Sequence, residues 1–126
     1  MPGFLRSLAN CVFARVDAPA ARTTTGVGTA FDTIDYDGTL KFVMDVSSVT
    51  GTTPTCDFKI QNSDTSGGTY TDVVGATATQ ITASGVREIN IDVAATKRFL
   101  KLAFTIGGTT PSFTVVNGAV GAKKYQ

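Results

Sequence analysis

The 126-residue sequence contains no histidine and no tryptophan, and only two cysteines. Histidine is the commonest general base near neutral pH and the commonest transition-metal ligand. Its absence removes serine–histidine and cysteine–histidine catalysis, and two cysteines alone cannot complete a four-ligand zinc shell. Charge is scarce as well: 17% of residues are charged and the net charge is +1. That supplies neither a basic nucleic-acid footprint nor the acidic composition of a disordered chain. No window reaches the roughly 18 apolar residues of a membrane helix. Arg6 interrupts the apolar residues ahead of Leu8-Ala9-Asn10-Cys11, well short of the roughly 7 to 15 that a secretory signal needs. We therefore expect no nucleic-acid partner, no membrane partner, no cofactor and no enzymatic activity.

What is present is enough for one domain. At this length a chain buries roughly two thirds of its unfolded surface, and 42% of the residues are hydrophobic. Cys11 and Cys56 are too few for a disulfide framework and read as reduced thiols. The first segment carries Arg6, Arg15 and Arg22 against the single Asp17 and lacks steady alternation. Its DAPAART portion reads as an extended linker, because proline disfavours helix in the residue before it. We take residues 1–25 as an N-terminal arm and residues 26–126 as the folded domain.

From Thr39 the apolar period becomes two, the signature of half-buried strands. Leu40, Phe42, Met44 and Val46 fall on one side, with Lys41 and Asp45 on the other. Cys56, Phe58 and Ile60 alternate with Asp57, Lys59 and Gln61, which makes Cys56 a small core residue. Ile89, Ile91 and Val93 repeat the pattern, as do Leu100, Leu102, Phe104 and Ile106, then Phe113 and Val115. Asn62–Asp72 is dense in turn formers and reads as a loop leading into a short strand near Val73. No stretch of about ten residues holds a 3.6-residue stripe. Short strands at roughly 8 to 12 residue spacing indicate an all-β chain, an antiparallel β-sandwich or barrel.

One phrase occurs twice: GTTPT at Gly51–Thr55 and GTTPS at Gly108–Ser112. Glycine admits positive φ and proline presets φ near −65°, so both copies read as hairpin connections in the two halves of the fold.

Few residues invite a chemical reading. The acidic run Asp32–Gly38 matches positions 3, 5 and 6 of a calcium loop at Asp35, Asp37 and Gly38, but Thr33 and Met44 occupy the first and last ligand positions. It reads as an aspartate-rich turn. The carboxylates Asp57, Asp64, Asp72, Glu88 and Asp92 show no spacing that would pair them for hydrolysis. Gly67-Gly68 and Gly107-Gly108 lack the lysine and the strand-to-helix context of a phosphate loop. Lys97, Arg98 and Lys101, with Lys123 and Lys124, read as a solvated edge. Tyr36, Tyr70, Phe99 and Tyr125 are candidates for a sugar-stacking platform.

The blocks DVSSVTGTTPTCDFKIQNSDTSGGTYTDV, ATKRFLKLAFTIGG and TTPSFTVVNGAVGAKKY, spanning Leu40 to Lys124, resemble small virion proteins of tailed bacteriophages. The resemblance is to capsid decoration, or cement, proteins. It implies a jelly-roll β-sandwich, to which this sequence adds its own extended N-terminal arm, made in a bacterial host and placed on the outer surface of the capsid. It further implies a homotrimer that binds the major capsid protein and bridges neighbouring capsomers. Within that picture the apolar and basic arm supplies the candidate capsid or subunit contacts: Phe4, Leu5, Arg6, Leu8, Val12, Phe13, Arg15 and Arg22. The alternatives are an adhesion module displayed on the virion, with a surface glycan as partner, and a tail or connector component.

Overall fold

A computed structural model of the chain describes residues 11–123, and the contacts expected of Phe4, Leu5, Arg6 and Leu8 lie outside these residues. Seven strands follow one another: β1 (Cys11–Arg22), β2 (Gly26–Val27), β3 (Phe31–Asp32), β4 (Tyr36–Ser63), β5 (Thr71–Thr77), β6 (Gly85–Asp92) and β7 (Phe99–Lys123). A single 3₁₀ turn, Val93–Ala95, separates β6 from β7, capped by the Asp92 carboxylate accepting from the Ala94 amide. Every strand pair is antiparallel. The chain is an all-β antiparallel sandwich, as the alternation predicts.

Two strands are unusually long. β4 has 28 residues and β7 has 25, against about 3–10 for an ordinary strand. Drawn straight, β4 would extend about 90 Å at roughly 3.3 Å per residue, whereas a domain of this size has a radius of gyration of only about 14 Å. The two strands pair with each other along nearly their whole length, from Tyr36 opposite Lys123 to Ser63 opposite Phe99. The ribbon they form must therefore turn back on itself. Its first half is flanked by β6 on β4 and by β1 on β7. Its second half is flanked by β5 on β4 and by β2 and β3 on β7.

The inner faces of both halves meet in one core. Leu40, Phe42, Met44 and Val46 from the first half of β4 share a cluster with Phe58 and Ile60 from its second half. Leu100, Leu102 and Phe104 join Phe113 and Val115 from β7 in the same cluster, and Ile89 and Ile91 close it from β6. Phe42, Phe58 and Phe113 are fully buried, and truncating any one of them to alanine should cost about 3–5 kcal/mol. Cys56 is buried here too, as its place in the alternation implies, while Cys11 is exposed, and both thiols are free.

The repeated GTTP phrases do not form hairpins. They lie inside β4 and β7, opposite each other, where Thr52 pairs with Thr109 and the ladder shifts register on both sides. The arrangement is reciprocal. Gly51 has φ +113° and Gly108 φ +109°; Thr53 has φ 46° and Thr110 φ 47°. A Cβ on Gly51 would stand 2.9 Å from the Pro111 Cα, and one on Gly108 would stand 2.9 Å from the Pro54 Cα. Each threonine hydroxyl donates to the carbonyl of the residue before it, at 2.8 Å. The turn chemistry read from glycine and proline is real, but it bends two paired strands at one crossing instead of reversing either one.

The segment expected to be an arm is, from Cys11 to Arg22, an edge strand. Cys11 to Arg15 pair in unbroken register with Ala122 to Gly118, and two register shifts then bracket Asp17. Burial alternates from Cys11 to Val16, but Phe13 faces outward among apolar neighbours and the two shifts follow, so the sequence shows no steady alternation. Buried Asp17 accepts from the Thr29 amide at 2.9 Å and fastens the following loop against β1.

The crossing yields a quantitative expectation. Gly51→Ala and Gly108→Ala should each lower stability by about 2 kcal/mol or more, since both the left-handed backbone and the close approach exclude a side chain. Gly67→Ala, where a Cβ meets nothing within 4 Å, should lie within about 0.5 kcal/mol of the parent. Urea unfolding of the three variants checks the ranking.

Candidate interaction face

The two outer faces of the sandwich differ. On the second half, Asp57, Lys59 and Gln61 alternate with the buried residues of β4, and their polar groups are satisfied locally. The Asp72 carboxylate accepts from Lys59 Nζ at 3.1 Å and from Gln61 Nε2 at 2.9 Å, and Gln80 donates to Asp57 at 3.1 Å. Arg98 forms a two-pronged pair with Asp32, at 2.8 and 2.7 Å. This pair holds the Asp32 carboxyl below its ordinary value. The Lys59 and Gln61 hydrogen bonds lower Asp72 likewise. The face is mainly polar and internally paired, with Val27 exposed on β2 beside Ala103.

The first half presents the opposite character. Its rows read Asn90–Lys41–Val120–Phe13, then Glu88–Val43–Gly118–Arg15, then Val86–Asp45–Val116 across β6, β4, β7 and β1. Valines at 43, 116 and 120 form the middle of the face, with Val86 53% and Phe13 62% exposed at its sides. The Phe13 ring lies across Gly118, where any Cβ would run into it, so this glycine makes the seat for the ring. Lys41 and Glu88 form an ion pair at 3.4 Å. Arg15 is exposed at the edge and belongs to none of the ion pairs among the described residues. An apolar outer face with an exposed aromatic marks a contact surface better than singly scattered apolar residues do.

Of the candidate contacts that are described, Phe13 and Arg15 lie on this face. Val12 does not: it pairs with Gly121 on the core side, where a Cβ on that glycine would meet Leu40 and Tyr36. Arg22 is engaged inside the domain, with its guanidinium 5.0 Å from the centre of the Phe104 ring and 4.0 Å from the Asp17 carboxylate. Val43, Val116 and Val120 were not singled out from the sequence. Their signal was nonetheless there: FVMDV and TVVNGAV are apolar on both faces, a pattern that needs cover on both sides.

The proposed sugar platform is not assembled from its rings. Lys123 stands over the Tyr36 ring at 5.7 Å, Lys101 over Tyr70 at 4.4 Å and Arg98 over Phe99 at 4.8 Å, so each ring carries a cation on one face. Tyr125 lies outside the described residues. A groove of about 490 Å³ between β5 and β6 is lined by Asn62, Asp72, Asn90 and Asp92, with Val74 and Ala76. Much of its polar lining is already engaged: Asn62 donates to the Thr71 carbonyl and accepts from the Lys97 amide, and Asp92 caps Ala94. The Asp32–Gly38 run is a turn, with Asp32 accepting from the Ile34 amide and Asp37 from the Gly38 amide.

No protein-family model matches the chain, and no curated protein does. Among solved structures, the SPBc2 prophage-derived protein YomS matches 87% of this chain and 91% of its own, at 18% identity and a TM-score of 0.50. Modules of the Clostridium thermocellum endo-1,4-β-D-xylanase 10B, complexed with xylohexaose, match 95% of this chain and 27% of their own, at 12% identity and a TM-score of 0.49. The likeness to YomS shows a shared fold.

Two measurements follow from these local environments. Burial, helped by neighbouring Asp57, pushes the Cys56 thiol up to about 12, so a thiol reagent at mildly alkaline pH should label Cys11 alone in the folded protein and both cysteines in denaturant. Two rapidly labelled sites in the folded state would contradict the core placement. The Asp32–Arg98 pair should contribute stability that is fully present above the ordinary carboxylate value of 3.8 and is lost as pH falls through the lowered folded value. The stability gap between the parent and Asp32→Asn should accordingly close on acidification below that value, as read from unfolding curves across pH.

Proposed function

We propose that this chain is a structural protein of a tailed-phage virion that decorates the outside of the head and cements neighbouring capsomers. The observation that carries this reading is the contrast between the two outer faces: one mainly paired and polar, the other an apolar band of Val43, Val116 and Val120 edged by the Phe13–Gly118 contact. A cement protein needs a rigid domain with a surface that adheres to a preformed lattice, and it has no need of catalytic groups. The fold shared with a prophage-derived protein and the resemblance of the Leu40–Lys124 blocks to decoration proteins support the same reading. On it, the major capsid protein is the partner, met by the β6–β4–β7–β1 face, and the chain has no enzymatic role.

The second reading is a glycan-binding module on the same particle. It draws on the groove between β5 and β6, where amide and carboxylate groups sit beside Val74, which is 99% exposed.

The test is co-sedimentation with phage heads that lack the chain. The parent should bind, and Phe13→Asp should lose binding by about tenfold or more, because a charge brought into an apolar contact must be desolvated without a partner. Circular dichroism and Tm of the variant should stay at parental values, since Phe13 is exposed. Undiminished binding by Phe13→Asp would remove the apolar face from the account. Failure of the parent to bind, together with a positive glycan array, would move the assignment to the second reading.

A further inference from the structure

Among the described residues the folded sheet has four lateral edges, and three of them are obstructed. β2 and β3 have two residues each, too few to template a partner strand. β5 carries a register shift and Gly75 at φ +79°, which spoil a regular ladder. β6 is flanked by the segment before it, where Arg87 Nε donates to the Thr79 carbonyl at 3.0 Å and Nη2 to the Gln80 carbonyl at 3.4 Å. The edge of β1 from Cys11 to Arg15 is regular, free of proline and glycine, and bears one charge. Proteins ordinarily blunt such edges, because unpaired backbone groups recruit another strand.

We propose that the Cys11–Arg15 edge pairs antiparallel with the same segment of a second copy of this chain, about a two-fold axis at Phe13. Charge selects a second copy in this register as the occupant. Each Arg15 then lies opposite the neutral Cys11 of the other copy. The two arginines stand about 13 Å apart, four residues at roughly 3.3 Å each, beyond the screening length of about 8 Å. The face selects it as well. Phe13 meets Phe13 of the second copy as a direct cross-strand aromatic pair, and the Lys41–Val120–Phe13 row runs on into the second copy without a break. An isologous contact of this kind closes on itself and leaves no further copy of the edge free. It sets a dimer of the free protein against the homotrimer that the family resemblance implies, and it shares a face with the virion role, so a strictly monomeric chain would remove it and leave head binding untouched.

Sedimentation equilibrium over a concentration series, with no particles present, reads the assembly. The expected result is a reversible monomer–dimer equilibrium whose dissociation constant rises at least about tenfold in Phe13→Lys, with unchanged circular dichroism. Arg15→Cys tests the register. Paired with Cys11 of the other copy, the new thiol lies within the 4.4–6.8 Å Cα separation of about every disulfide, so mild oxidation should give covalent dimers. The parent's two Cys11 residues, about 13 Å apart on the same spacing, should not cross-link. A monomer at all concentrations, a trimer, a dimer indifferent to Phe13→Lys, or equal cross-linking of parent and Arg15→Cys would each overturn the proposal.

Discussion

The ribbon of β4 and β7 can enclose one core only if both strands bend at the same point, because paired strands cannot turn independently without breaking their ladder. The two GTTP phrases meet this constraint. Gly51 lies against the backbone of Thr110 and Pro111, while Gly108 lies against that of Thr53 and Pro54. Positive φ at both glycines and both threonines supplies the bend. The crossing is a place where backbone packs on backbone, so it tolerates no added atom on either strand. Everything else follows from the fold-back: the shared core of Phe42, Phe58 and Phe113, and the division of the outer surface into two faces that can differ in chemistry.

That division is where structure leads to function. On the second half, carboxylates and cations neutralise each other within the face, which leaves little electrostatic reason for a partner to bind there. On the first half the middle strand β7 presents Val116, Gly118 and Val120, and β1 lays Phe13 over the glycine. Such a surface gains free energy by leaving water, at roughly 25 cal/mol for each Å² covered. Its charged residues stand around the valines, with Lys41 and Glu88 paired to each other and Arg15 at the edge. A surface of this character adheres broadly to a matching lattice and does not recognise a small ligand, which suits a cementing role.

Much of the architecture could be read from the sequence, because period-two alternation reports local burial directly. Leu40 to Val46, Cys56 to Ile60 and Leu100 to Phe104 fall inward as their spacing requires. The crossing could not be read in this way. Glycine and proline announce a bend, but the partner of each bend lies 57 positions away (111 − 54 = 57), and no local rule says that the two will face each other. β1 is obscured for a different reason, since outward-facing Phe13 makes its first half apolar on both faces and the register shifts beside Asp17 interrupt the second. Of the contact face, Phe13 and Arg15 were named for their apolar and basic character. Val12 shares that character but turns inward, and the outward valines of β4 and β7 are hidden in the sequence because a strand that is apolar on both sides reads simply as core.

The claim on which the account stands is that the β6–β4–β7–β1 face meets another surface in the assembled particle. Cryo-electron microscopy of particles carrying this chain tests it most directly. The account predicts density on the outside of the head with Phe13 and Val120 at the boundary with the shell or a neighbouring subunit, and with the Asp32–Arg98 face toward solvent. A chain lying with its polar face against the shell, or found only on the tail, would contradict it.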